Sequence, residues 1–125
     1  KSQNDAVARE RAVLSLVSNR PELYDETAIA WSKIQLTRPV SYENFARQLL
    51  AAARYSLGFT KPPVPVLVLN SVSDRMVDPS CSLEIATAWR SELRRHPSAG
   101  HDLPLDDGEW VASQIADWQR RLEKK

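Results

Sequence analysis

The stretch Lys61-Pro62-Pro63-Val64-Pro65, followed at once by Val66-Leu67-Val68-Leu69, restricts this chain more than any other segment. Proline fixes φ and removes an amide donor, so the entry cannot be helical and the apolar run after it reads as a strand. The run is continuous rather than alternating, which marks a strand covered on both faces, as in a parallel sheet. A parallel strand needs a partner reached through a crossover, and the sequence supplies one. Asp78-Pro79 is an N-cap and first-turn pair for a helix through about Arg90, with Leu83, Ile85, Ala86 and Trp89 as its apolar members. Glu92 to His96 then reads as a second strand. A last helix opening near Asp106 carries Val111, Ile115, Trp118 and Leu122 as a stripe expected to be buried. The second half is therefore predicted as strand, helix, strand, helix, an α/β arrangement.

The first half is predicted to be helical. Residues 5 to 18 place Val13, Leu14 and Val17 on one face until Asn19-Arg20-Pro21 interrupts them. Pro21 opens a second helix, with Glu22, Asp25 and Glu26 at its positive end and Leu23, Ala30, Trp31 and Ile34 at approximate helical spacing. Ser41 caps a third segment in which Phe45, Leu49, Ala52 and Ala53 share a face, ending near Gly58. Two parallel strands are too few for a covered sheet, and neither a repeat nor a low-complexity tract supplies more. Either the three N-terminal helices wrap the pair into an unusual small domain or the chain is part of a larger sheet, and the second is the expectation.

Charge and cysteine content exclude several functions. The formal net charge is +1, far from the basic excess that phosphate-backbone binding requires, and Arg120, Arg121, Lys124 and Lys125 read as a cationic helix end rather than a nucleic-acid patch. The single cysteine, Cys81, forbids an internal disulfide and any multi-cysteine metal site, and is read as a buried or idle thiol. The apolar runs Val64 to Leu69 and Ala12 to Val17 are too short to span a bilayer. No signal peptide is recognisable in residues 1 to 20, so the expectation is a cytoplasmic protein without nucleic-acid or membrane partners. Lys1 stands where a start methionine would, which leaves room for targeting information upstream.

Chemistry is expected where open parallel sheets place it, beyond the C-terminal ends of the strands. There the first strand delivers Asp74 and the second delivers His101. An ionised carboxylate accepting the Nδ1 hydrogen of an imidazole fixes the tautomer of the ring and stabilises the imidazolium formed during nucleophilic attack. Taken singly, Asp74 is equally a turn residue and His101 a loop histidine beside a flexible glycine. Together, Asp-x-x-Val-x-Pro after a buried strand, and Gly-His-Asp-Leu-Pro-Leu ahead of an amphipathic helix, form a more specific pattern.

In that pattern, residues 65 to 77 resemble the penultimate core strand and acid loop of α/β-hydrolases, while residues 98 to 107, with Trp110 soon after, resemble their histidine loop and final helix. The resemblance covers about half the chain. It implies that residues 61 to 125 are the C-terminal part of an α/β-hydrolase fold and that the three helices of residues 1 to 60 are a cap over the active site. It further implies that Asp74 is the acid and His101 the general base of a catalytic triad. Ser71 departs from the glycine often found there. Asp78 is a rival carboxylate, better placed as a helix cap, and His96 is treated as structural.

Gly58, Gly100 and Gly108 are the only glycines, so no Gly-x-Ser-x-Gly elbow exists in the sequence. Ser41, Ser71, Ser73, Ser80, Ser82 and Ser98 read as caps and loop residues. The resemblance thus implies part of a serine hydrolase acting on an ester, thioester or amide, with the nucleophile in a missing N-terminal portion. The partners expected are a small acyl substrate and that portion, or a second copy. Trp31, Phe45 and Tyr55 are candidates for lining the acyl pocket. No cofactor or metal is expected. The alternative is a non-catalytic, hydrolase-derived interaction module.

Overall fold

Leu67–Ser71 forms strand β1 and Glu92–His96 forms strand β2, and the two pair in parallel with Leu67 opposite Glu92 and Ser71 opposite His96. This pairing is seen in a computed structural model that describes residues 3–56, 58 and 60–124. The crossover between the strands is helix α4, Pro79–Trp89. Asp78 caps it by accepting from the Ser80 amide at 2.8 Å, Pro79 occupies the first turn, and Arg90 closes it in the left-handed region at φ 48°. Helix α5, Leu103–Leu122, follows the second strand, and both α4 and α5 pack on β1. The described chain is thus a mixed α/β structure of five α-helices and a two-stranded parallel sheet.

The helical half consists of α1 (Gln3–Val17), a 3₁₀ turn (Pro21–Leu23), α2 (Tyr24–Thr37) and α3 (Tyr42–Arg54). The first two helices pack on each other through Ala6, Glu10 and Leu14 of α1 and Ala28 and Ser32 of α2, all buried. That seam is rotated from the one expected: Leu14 lies inside, whereas Val13 is exposed, as are Ala30 and Ile34 of α2. Ala6, Ala28 and Ser32 leave room in the seam for the larger Leu14 and Glu10. Ser41 caps α3 by accepting from the Asn44 amide at 3.1 Å. Every described residue from Tyr42 to Ser56 is exposed, so the Phe45–Leu49–Ala52–Ala53 face is unpartnered among the described residues.

Strand β2, Glu-Leu-Arg-Arg-His, is tied to α5 by ionic contacts. Arg94, whose side chain is 15% exposed, donates to Glu92 at 2.7 Å, to Asp117 at 2.6 Å and to both oxygens of Gln114 at 2.9 and 3.0 Å. Its Asp117 and Glu92 partners raise the guanidinium pKa further. Arg121 reaches the same Glu92 carboxylate at 2.6 Å, so β2 and α5 are joined by one polar network. Arg121 and Arg120 also pair with Asp117 within α5, so the cationic helix end is partly neutralised locally; Lys125 lies outside the described residues.

The apolar stripe of α5 is not buried as expected: Val111, Trp118 and Leu122 are half-buried and Ile115 is 40% exposed. The helix also opens earlier than residue 106. Asp102 caps a first turn, Asp107 breaks it at φ −153° and ψ 74°, and the Asp107 carboxylate then accepts the Trp110 amide at 2.9 Å as a second cap. Among the described residues, no helix is long and apolar enough to cross a membrane.

The planar fork of Arg94 spans acceptors on three residues that a lysine ammonium cannot reach together. Arg94→Lys is expected to lower stability by about 1–2 kcal/mol, measured as a lower urea midpoint with unchanged slope.

Candidate functional site

Parallel pairing delivers the segments after β1 and β2 to the same edge of the sheet. Asp74 lies three residues beyond Ser71, and His101 five residues beyond His96. There Asp74 Oδ2 meets His101 Nδ1 at 2.9 Å. The acid loop is folded around its own carboxylate, because Asp74 Oδ1 accepts from the amides of Met76 at 2.8 Å and Val77 at 2.9 Å. The Asp74 side chain is 12% exposed and that of His101 40% exposed, so a sheltered carboxylate orients an accessible ring.

Burial pushes the Asp74 carboxyl up, but the Val77 amide, His101 and the Met76 amide together outweigh it and hold the group below its ordinary value. With Asp74 ionised and accepting at Oδ2, the His101 hydrogen sits on Nδ1, which leaves Nε2 as the acceptor of a ring that is 40% exposed. Among the described residues no hydroxyl is hydrogen-bonded to that ring. The arrangement is a carboxylate–imidazole pair able to accept a proton at Nε2 from a group brought against it.

His96 has the opposite tautomer. Its Nδ1 accepts from the amides of Ser98 at 3.1 Å and Ala99 at 2.8 Å, so Nε2 carries the hydrogen and donates to Asp107 at 3.2 Å. The Trp110 ring packs edge-on against it, with centroids 4.9 Å apart. Its place is structural: it starts the histidine loop. The rival carboxylate, Asp78, caps α4 and makes no contact with either histidine.

Three residues that shape the site carry no chemical signature in the sequence. Ser71, which replaces a common glycine, is 1% exposed; its hydroxyl donates to Ala99 O at 2.5 Å and accepts from the Ser73 amide at 3.1 Å, tying the end of β1 to the histidine loop. Asp106, 4% exposed, accepts from Ser18 Oγ at 2.5 Å, the Asn19 amide at 2.8 Å and the Gly100 amide at 2.6 Å. The Asn19 side-chain amide donates to Ser73 O and Ser98 O, both at 3.0 Å. Asp106 reads locally as a helix-opening acid and Asn19 as a helix breaker. Gly100 apart, their partners stand 54 to 88 residues away in the chain, beyond any local pattern.

Gly100 is buried, not the flexible loop residue expected from sequence. A Cβ there would lie 2.6 Å from Val17 O and 2.9 Å from both Asn19 N and Ser18 Cα, all backbone atoms. The glycine before His101 is required by close approach of the α1 terminus. The same approach brings the Asp102 amide to Val17 O at 2.8 Å.

The candidate lining residues are not gathered at this edge. Trp31 borders a depression shared with Glu10, Ile34, Gln35, Arg38 and Val40, none of them in the acid or histidine loops, and Phe45 and Tyr55 are exposed at α3. Cys81 is exposed rather than buried. No group of three or more metal-ligating side chains is assembled among the described residues. Comparison with known proteins gave no match, whether to family models, to curated proteins or to solved structures.

Gly100→Ala must displace backbone and is expected to cost about 1–3 kcal/mol, seen as a lowered thermal midpoint. Because the folded state depresses the Asp74 pKa, its contribution is complete above the ordinary carboxylate value near ~4 and is lost as pH falls through the lower folded value. The thermal midpoint should therefore drop on acidification below pH ~4, and Asp74→Asn should drop less steeply over the same titration.

Proposed function

We propose that this chain is the acid- and base-bearing part of a serine hydrolase of the α/β-hydrolase type, acting on an ester, thioester or amide of a small acyl substrate. The observation that carries this reading is the 2.9 Å bond between Asp74 and His101 across the C-terminal edge of a parallel strand pair. An imidazole so held removes the proton of a serine hydroxyl as the hydroxyl oxygen attacks the acyl carbon. It then returns the proton to the leaving group, while Asp74 stabilises the imidazolium in between. The nucleophile and the oxyanion-hole amides belong, on this reading, to sequence preceding the chain, since no nucleophile elbow is present in it. Residues 1–60 act as a cap over the substrate, residues 61–125 belong to the catalytic core, and the place of action is the cytoplasm.

A second reading is favoured by one separate observation. Tyr42, Phe45, Leu49 and Leu50 of α3 are each at least half exposed, a surface suited to association. On this reading the chain is a hydrolase-derived interaction module that pairs with another protein or with itself.

Labelling the full natural gene product with a serine-directed fluorophosphonate separates the two. Under the hydrolase reading labelling is strong, His101→Ala abolishes it, and Asp74→Asn slows it by about 10⁴-fold, the size seen when a triad carboxylate becomes an amide. Labelling that is absent, or indifferent to both substitutions, leaves the interaction module as the reading.

A further inference from the structure

We infer that Asn19 and Arg75 are positioning residues that lock the acid loop and the histidine loop onto the C-terminal end of α1, making the Asp74–His101 bond dependent on the α1–α2 hairpin. Asn19 joins both loops directly. One side-chain nitrogen donates to Ser73 O, the residue before Asp74, and to Ser98 O, three residues before His101. Its backbone amide is held by Asp106, the carboxylate that also holds the Gly100 amide next to His101. Arg75, the residue after Asp74, donates from one guanidinium nitrogen to Ser15 O and Ser18 O, both at 2.9 Å. These are carbonyls at the end of α1, where a cation also meets the negative end of the helix.

The geometry makes this more than ordinary packing. Asp74 and His101 are each flanked, within one to three residues, by a group bound to residues 15–19, so neither loop can shift without breaking a bond to the helix terminus. The Gly100 backbone lies too close to Val17 O and Asn19 N for a methyl group, which removes slack on the histidine side. Tyr24, at the start of α2, donates to Ser18 O at 2.7 Å and ties the second helix of the hairpin to the same corner. A displacement of the hairpin is therefore transmitted to the distance between the carboxylate and the imidazole. The catalytic meaning of this coupling rests on the proposed hydrolase reading; the coupling itself is a property of the chain.

The test is proton NMR of the His101 Nδ1–H in the full chain, which has only two histidines to assign. In the parent chain this hydrogen is expected to be held on Asp74 and to exchange slowly with solvent. Asn19→Ala should speed its exchange at least ~10-fold and shift the ring toward the Nε2–H tautomer, since the bridge between the loops is gone. Arg75→Ala, at an exposed position that leaves the core intact, should act in the same direction and decides the matter if Asn19→Ala does not fold. Arg94→Lys weakens the β2–α5 network without touching residues 15–19 and should lower the thermal midpoint while leaving exchange within ~2-fold. Unchanged exchange in the folded Asn19 and Arg75 variants, or an equal acceleration in Arg94→Lys, overturns the inference. Because the signal reports geometry and not turnover, it is decided separately from phosphonate labelling.

Discussion

The parallel register of two five-residue strands is the constraint on which the site depends. With Ser71 opposite His96, the chain leaves both strands at the same edge and at the same height, and the Val72 amide continues the ladder to His96 O at 3.0 Å. Three residues on one side and five on the other then suffice to bring a carboxylate onto an imidazole. An antiparallel pair would have sent the two loops to opposite ends of the sheet. Side chains alternate faces along a strand, so a one-residue slip would also have turned His96 and Ser71 away from the loop they anchor.

Directional polar contacts, more than apolar volume, hold that edge. The fully buried side chains include Ser18, Ser32 and Ser71, and the buried apolar residues are mostly alanines, with Leu14 and Leu103 the larger exceptions. Dispersion between small side chains fixes positions weakly, whereas a buried carboxylate with three donors, such as Asp106, fixes both distance and angle. Ser71, His96, Asp106 and Asn19 each tie the histidine loop to a different segment. A loop so constrained holds His101 Nδ1 on Asp74 while the ring stays 40% exposed.

Large apolar groups lie mainly at or near the surface. All four tryptophans are only partly buried, the strand residues Leu67 to Leu69 are half-buried, and the apolar face of α3 meets solvent. The continuous Val66–Leu69 run suggested a strand covered on both faces, and these residues are half-buried instead. The helix seams were harder to read for a related reason. Ala6, Leu14, Ala28 and Ser32 are buried whereas Val13 and Ile34 turn outward, a choice set by how the two helices are rotated against each other and not by apolar character.

Local chemistry was sufficient to set the elements and the two site residues. Proline placement, the caps at Ser41 and Asp78, and the strand after Arg90 are written in short-range sequence because they depend on φ, on amide donors and on neighbours within a few residues. Asp74 and His101 were legible because each follows directly from the end of a strand. Only the tertiary structure decided which residues hold them together: Asn19, Arg75, Ser71 and Asp106 act on partners up to 88 positions distant. Hydrogen bonds of that range leave no period or motif in a sequence, because they exist only once the α1 terminus has docked against both loops.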